Sequence, residues 1–165
     1  MTAIARKMPA QRPHKSEQVV RAPPEFLEAV RAMFGTLHYD LAANQENRIA
    51  LDWYGPDHPV RESRDALTAT WPDVGRGWLN PPFGMITKFA RKAFETTRGG
   101  LEVLMLVPAS IGANWYTDFV APFADVYSVG RMKFVGSKDV YPKDLILAHY
   151  WQLGGGKLKR WRWEE

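Results

Sequence analysis

The chain predicts an α/β fold built on a largely parallel sheet. Two observations carry that expectation. Short strand-like runs alternate along the sequence with segments of helical period, the order expected of strand–helix–strand units. LEVLMLVPA (101–109) is apolar almost throughout, as a strand covered on both faces must be.

The elements follow in order. PPEFLEAVRAMFG predicts a helix: Pro23 and Pro24 suit its first turn, Phe26, Leu27, Val30, Met33 and Phe34 share a face, and Gly35 closes it. TLHYDLAA predicts a short strand ending at Asp40. ANQENRIALDWYG reads as a helical turn followed by a strand. Residues 55–77 are loop-rich, with a short strand near Ser63–Leu67, and GWLN is a buried strand. MITKFARKAFETTRGG is a helix with Ile86, Phe89, Ala90, Ala93 and Phe94 at helical spacing, stopped by Gly99 and Gly100. After the central strand 101–109 come a short helix in ANWYTDFVAPFA and a strand in ADVYSVG. DLILAHYWQL, GGG and KLKRWRW then predict an antiparallel terminal hairpin at one edge of the sheet. The whole resembles a doubly wound, Rossmann-like sheet, yet it lacks both the G-x-G-x-x-G dinucleotide turn and the P-loop.

Composition narrows the chemistry. At 165 residues one domain is expected, with enough chain to bury a core. The absence of cysteine excludes disulfides, thiolate metal sites and a cysteine nucleophile. His14, His38, His58 and His149 are scattered without i, i+4 pairs, which argues against zinc. No apolar run approaches a membrane span and the basic N-terminus has no apolar core of a signal peptide, so the expected location is cytoplasmic. Residues 1–21 carry five Lys/Arg against Glu17 and read as a flexible basic arm; residues 157–165 carry four Lys/Arg against two Glu. Basic tails on a nearly neutral body suit a polyanion such as nucleic acid, or serve as solubilising ends.

The stretch WLNPPFG holds the most informative chemistry. Proline cannot donate to a sheet ladder, so the strand must end near Asn80, displaying an amide, two proline carbonyls and the ring of Phe83 at its C-terminal tip. Pro82 holds Pro81 in the extended region, which fixes the direction of its carbonyl. The Asn80 oxygen and the Pro81 carbonyl can together accept both hydrogens of a planar amine, while Phe83 offers a face to a flat ring. An exocyclic amine on a base is a poor nucleophile because its lone pair is delocalised; accepting both N–H bonds frees that pair and stabilises the developing positive charge. Stacking would hold the base with about 1–3 kcal/mol.

These residues resemble the phage-type, Dam-like DNA N-6-adenine methyltransferases. The motifs are DLAANQEN (40–47), DALTATW (65–71), WLNPPFG (78–84), VLMLVPAS (103–110) with NWYTDFV (114–120), and GRMKF (130–134), spread from about Pro24 to Leu153. The resemblance implies a Rossmann-like S-adenosylmethionine-dependent methyltransferase domain over 22–165, acting on double-stranded DNA with the target adenine flipped out of the duplex, in a bacterial or phage-infected cell. It implies that Asp40, Ala42 and Ala43 line the methionine end of the cofactor, that Asp65 lies near its adenosine, and that Asn80, Pro81, Pro82 and Phe83 form the catalytic corner. DLAANQEN has no glycine, so the alanine pair must serve where a glycine-rich turn is usual. No insertion accommodates a separate target-recognition domain, which leaves loops 55–77 and 130–144 and the tails to read sequence.

Other readings stand beside these. Asp40 could cap the following turn, Asp65 could be a solvated loop carboxylate, and Arg131, Lys133, Lys138 and Lys143 could touch phosphate or simply face water. The same chemistry fits cytosine N-4 or a protein glutamine amide, and a non-catalytic DNA-binding module could retain the fold.

Overall fold

The computed structural model describes residues 21–165. The basic arm expected at 1–21 therefore lies outside the described residues, except for Arg21, which bridges Val135. Among the described residues three α-helices, α1 (Pro24–Phe34), α2 (Ile86–Thr97) and α3 (Asn114–Phe119), accompany seven strands. These are β1 (Tyr39–Asp40), β2 (Asp52–Trp53), β3 (Arg76–Leu79), β4 (Glu102–Pro108), β5 (Ala124–Gly130), β6 (Leu145–Tyr150) and β7 (Lys157–Arg160). They form one mixed sheet in the order β2-β1-β3-β4-β6-β5-β7, with β6 running against all the others.

Helices cover both faces, and β4 shows why its sequence is apolar throughout. Val103, Met105 and Val107 point into a core shared with Phe89, Ala90 and Ala93 of α2 and Tyr116 of α3. Leu104 and Leu106 point the other way, into a core with Phe26, Leu27 and Val30 of α1. A strand of period two that is buried on both sides has no position left for a polar residue. Met33, expected on the buried face of α1, is instead 46% exposed, while Phe34 beside it packs on the core and meets Tyr127, His149 and Trp161.

The strand expected near Ser63–Leu67 does not form. Its place is taken by a 3₁₀ turn (Arg61–Ser63) and a following turn, because local bonds claim the backbone: Gly55 N–H donates to the Ser63 carbonyl at 3.0 Å and the Arg64 guanidinium donates to the His58 carbonyl at 2.8 Å.

The expected terminal hairpin is also overturned. β6 is antiparallel, as predicted, but it lies inside the sheet between β4 and β5, where its nearly continuous apolar sequence is buried. β7 does not pair with β6; it crosses to the far side of β5 and pairs with it in parallel. The three glycines make the crossing instead of a tight hairpin. Gly155, at φ +129°, passes so close to the Pro122 carbonyl that a Cβ would sit 2.1 Å from its oxygen, and Gly156 N–H donates to the Ala121 carbonyl at 2.8 Å.

One feature of the topology positions a site. The chain leaves β1 toward β2 on one side of the sheet, and leaves β3 toward α2 and β4 on the other. Adjacent parallel strands whose outgoing connections diverge leave a crevice beyond their C-terminal ends, the usual ligand position in such sheets.

Candidate active site

That crevice is flanked by Asp40 at the end of β1 and by Asn80, which follows β3; the register pairs Asp40 with Trp78. The Leu41 N–H donates to the Trp78 carbonyl at 2.8 Å, so the two strand tips are tied together just beside the two polar residues.

Asp40 is 3% exposed. Its carboxylate accepts N–H bonds from Ile49 at 3.0 Å and from Ala42 at 3.4 Å, which folds the 41–49 loop around it. Burial pushes its pKa up to about 7, against the opposing pull of those two bonds. Asp40 thus organises the following turn, as the capping reading expected, and it stands at the tip of β1. Ala42 and Ala43 are half-buried. The Ala43 N–H donates to the Tyr54 carbonyl at 2.9 Å, and its own carbonyl meets Gly55 so closely that any Cβ there would collide with it.

The loop between them is braced by residues that the sequence reading did not single out. Asn44 and Asn47 exchange bonds, each side-chain oxygen accepting the other's N–H at 2.8 Å. Asp57 accepts the Gln45 N–H on both oxygens, at 3.1 and 3.0 Å. The repeated asparagine in AANQEN was a visible signal for the first pair; Asp57, twelve residues from its partner, gave none.

At the corner, Pro81 is buried and Asn80, Pro82 and Phe83 are half-buried. Asn80 Oδ1 is shielded from water. The Pro82 carbonyl accepts the Met85 N–H at 2.8 Å and starts a 3₁₀ turn (Phe83–Met85) that leads into α2. The Phe83 ring lies edge-on to Tyr141, with centroids 5.4 Å apart, and to Phe134 at 6.5 Å. Loop 130–144 therefore packs directly on the aromatic member of the corner. The sequence pointed to that loop for its charges and as a candidate reader of DNA sequence, and not as a support for Phe83.

Asp65 is exposed and caps the next turn, accepting the Leu67 N–H at 2.9 Å. Among the described residues no hydrogen bond joins it to Asp40. It lies instead near Lys92 of α2, whose ammonium donates to the carbonyls of Leu67, at 2.9 Å, and Ala69, and sits 4.6 Å over the Trp71 ring. Burial lowers the Lys92 pKa and the Asp65 charge partly restores it. Lys92 thus pins the Asp65 loop to the helix that follows the corner. Arg131, which the sequence left open between phosphate contact and a solvated face, is exposed with Asp144 3.8 Å away, and Lys133, Lys138 and Lys143 are exposed as well.

Two clefts open elsewhere. One of about 300 Å³ lies by Phe94, Arg98, Tyr150 and Trp151, and one of about 510 Å³ by Arg131, Arg160 and Arg162. Neither lies beside Asp40. Strand topology and charge, rather than volume, mark the crevice: Asp40 is a buried acid with no cation next to it among the described residues. Such a carboxyl stabilises an arriving positive charge, and its own ionisation is favoured in return. A ligand carrying an ammonium or sulfonium group fits that requirement.

Residues 10–144 match the family model of DNA N-6-adenine-methyltransferase (Dam). A DNA N-6-adenine-methyltransferase of Escherichia phage T1 is 27% identical over 96 residues, a match that covers 58% of this chain and 38% of the phage protein. The chain thus aligns with well under half of that relative's length. No solved structure matches the chain.

Proposed function

The chain belongs to the DNA N-6-adenine-methyltransferase family, and we propose that it methylates the exocyclic N-6 amine of adenine in double-stranded DNA. The observation that carries the proposal is the divergence of the β1 and β3 connections beside Asp40 and the Asn80–Phe83 corner. Helices on both faces of a sheet with that switch point support a Rossmann-like reading of the fold. S-adenosylmethionine fits the residues present, since the uncompensated Asp40 carboxyl answers its cationic amino-acid end.

In this reading Asp40, Ala42 and Ala43 hold the methionine end of the cofactor and Asp65 its adenosine. When bound, S-adenosylmethionine supplies an electrophilic methyl group. The target base must leave the duplex to reach the corner, and because Asn80 Oδ1 is shielded from water, the corner must open as the base enters. Phe83 then stacks on the base. Asn80 Oδ1 and the Pro81 carbonyl accept the two amine hydrogens, draw the nitrogen out of conjugation and stabilise the charge that develops on it. Pro81 and Pro82 keep those acceptors aimed, and they bring no N–H to compete with the amine. The methylated amine is acidic enough to release its proton to water, so no general base is assigned. Among the described residues no helix is long and apolar enough to cross a membrane, and the reading assigns the enzyme's work to the cytoplasm of a bacterial or phage-infected cell.

The test is incubation with S-adenosylmethionine and mixed-sequence duplex DNA, followed by digestion to nucleosides. N-6-methyl-2′-deoxyadenosine is expected as the modified nucleoside. Methylcytosine alone would overturn the choice of base, and no product together with no binding of S-adenosylhomocysteine would overturn the enzyme reading.

A further inference from the structure

The last part of the chain carries a charge pattern that the catalytic corner does not use. Residues 130–165 hold eight Lys/Arg against four Asp/Glu, whereas residues 22–129 hold nine against thirteen. Apart from the basic run at 1–21, the excess cations therefore belong to one contiguous stretch within residues 22–165, the 131–144 loop and the strand that crosses β5.

Topology brings that stretch to the site's edge of the sheet. β5 and β7 are parallel to each other and run in the same direction as β4, β3 and β1. Arg131 after β5, Arg160 at the end of β7 and Arg162 just beyond it thus emerge at the same edge as Asp40 and Asn80. Together they line the cleft of about 510 Å³.

The segment is built to hold those guanidiniums outward. Trp161 and Trp163 alternate with Arg160 and Arg162, and both indoles turn inward onto α1: Phe26 lies 5.9 Å from Trp161 and 5.0 Å from Trp163 between centroids. Trp163 Nε1 donates to the Val129 carbonyl at 3.0 Å, and the Trp161 N–H donates to the Ser128 carbonyl at 2.9 Å. With the indoles anchored, the intervening arginines project as the pleat requires, and Arg162 is 60% exposed. Backbone rigidity of this kind lowers the ordering cost when an arginine forks onto a phosphate.

We propose that Arg131, Arg160 and Arg162 form a phosphate grip that holds the duplex backbone to one side of the target adenine. The inference rests on the DNA-methyltransferase reading above. Four strand spacings separate β3 from β7, roughly 19 Å, or about five to six base pairs of duplex. The grip thus lies several base pairs from the corner and gives affinity without reading bases. Loop 130–144 bridges the interval, with Phe134 and Tyr141 on Phe83 at one end and Arg131 at the other. Glu164 and Glu165 line the same cleft, and Glu165 pairs with Arg162 at 3.1 Å. DNA must displace that pair, which makes the two glutamates opponents of binding.

The experiment is a salt titration of duplex binding by the full chain, read by fluorescence anisotropy. The Arg160→Ala/Arg162→Ala double variant should bind at least tenfold more weakly to any sequence, and its log–log salt slope should fall by about 1.8, two phosphates' worth. Arg160→Lys/Arg162→Lys should keep most of the slope, and Glu164→Gln/Glu165→Gln should tighten binding severalfold. Thermal melting and S-adenosylhomocysteine titration establish that each variant is folded. A slope unchanged in the alanine double variant, with wild-type DNA binding intact, overturns the grip. Because binding is read without turnover, the two ideas fail separately: flattened slopes without any methyl transfer leave the grip standing and remove the enzyme reading.

Discussion

Asp40 and Asp125 are both buried carboxylates on one sheet, 3% and 6% exposed, yet their chemistry runs in opposite directions. Asp125 stands at the opening of β5, on the edge away from the crevice. Burial alone would raise its pKa, but it accepts the Gly155 N–H at 3.1 Å and the Trp151 indole N–H at 2.9 Å, with the Lys157 ammonium 3.7 Å away, and the net effect is a lowered pKa. Its burial is shallow, at the rim of the sheet, so pairing outweighs desolvation. Asp40 has two backbone N–H donors and, among the described residues, no cation beside it, and burial wins. One acid is compensated by the chain itself and works as a staple for the β6–β7 crossing. The other has only backbone N–H donors beside it among the described residues, and it lies at the strand tips, the usual ligand position in such sheets.

The sharpest way to break this comparison is to disarm each edge in turn. Asn80→Ala removes one of the two amine acceptors and should lower turnover about a thousandfold, as loss of a preorganised polar group at a reacting centre does, with S-adenosylmethionine affinity nearly unchanged by calorimetry. Near-normal turnover would remove the amine-clamp role. Asp40→Asn should weaken S-adenosylmethionine about a hundredfold, since the cation it faces would lose its counter-charge. Comparing S-adenosylhomocysteine locates that cation. Equal weakening points to the ammonium shared by both molecules, and weakening of S-adenosylmethionine alone points to the sulfonium. Asp125→Ala should leave affinity intact and lower stability by about 2 kcal/mol, because the indole and amide lose their acceptor, while the half-exposed Lys157 adds little. If instead Asp125→Ala impairs binding and Asp40→Asn does not, the assignment of the two edges is reversed.

Linkage gives the same contrast a second reading. The folded pKa of Asp40, about 7, lies above its ordinary 3.8. Its contribution to stability is therefore complete below pH 3.8 and is lost as pH rises through 7. Asp125, with its folded pKa lowered, contributes above its ordinary value and loses that contribution as the solution is acidified. Chemical denaturation across pH should show Asp40→Asn flattening the curve between about pH 4 and 7 and Asp125→Asn flattening only the acid limb. A saturating cationic ligand should abolish the Asp40 segment, since it favours the ionised carboxylate.

Much of this was legible in the sequence for one physical reason: burial on a periodic element leaves a periodic trace. The double-faced β4, the buried stripe of α2 and the proline stop after β3 could all be read from residue order. The placement of β7 could not. Alternation in KLKRWRW states which side chains share a face but not which strand lies alongside, and that choice is made by Gly155 passing under the Pro122 carbonyl. The candidate corner was legible because proline and asparagine are chemically distinctive. Its supports were not, because Lys92 finds its acceptors 23 and 25 residues earlier in the chain and Asp57 its donor 12 earlier.

Lys92 provides the smallest of these tests and the most discriminating one for Asp65. Its ammonium is half-buried, satisfied by two carbonyls and the Trp71 face, and destabilised by burial to a degree that Asp65 partly offsets. Asp65 thus has two possible employers: the lysine of its own chain, or the adenosine of the cofactor. Asp65→Asn removes the charge while keeping a side-chain oxygen for the Leu67 N–H. If Asp65 serves Lys92, the variant should lose a few tenths of a kcal/mol of stability, the usual scale for a solvent-exposed charge, with S-adenosylmethionine affinity unchanged. If it serves the cofactor, affinity should fall several-fold in Asp65→Asn, and Lys92→Met, which keeps the carboxylate but frees its loop, should weaken binding to a lesser extent. The family resemblance places Asp65 with the cofactor, and a calorimetric titration in which Asp65→Asn binds like the wild type would return it to the side of Asp125, as a carboxylate employed by the fold.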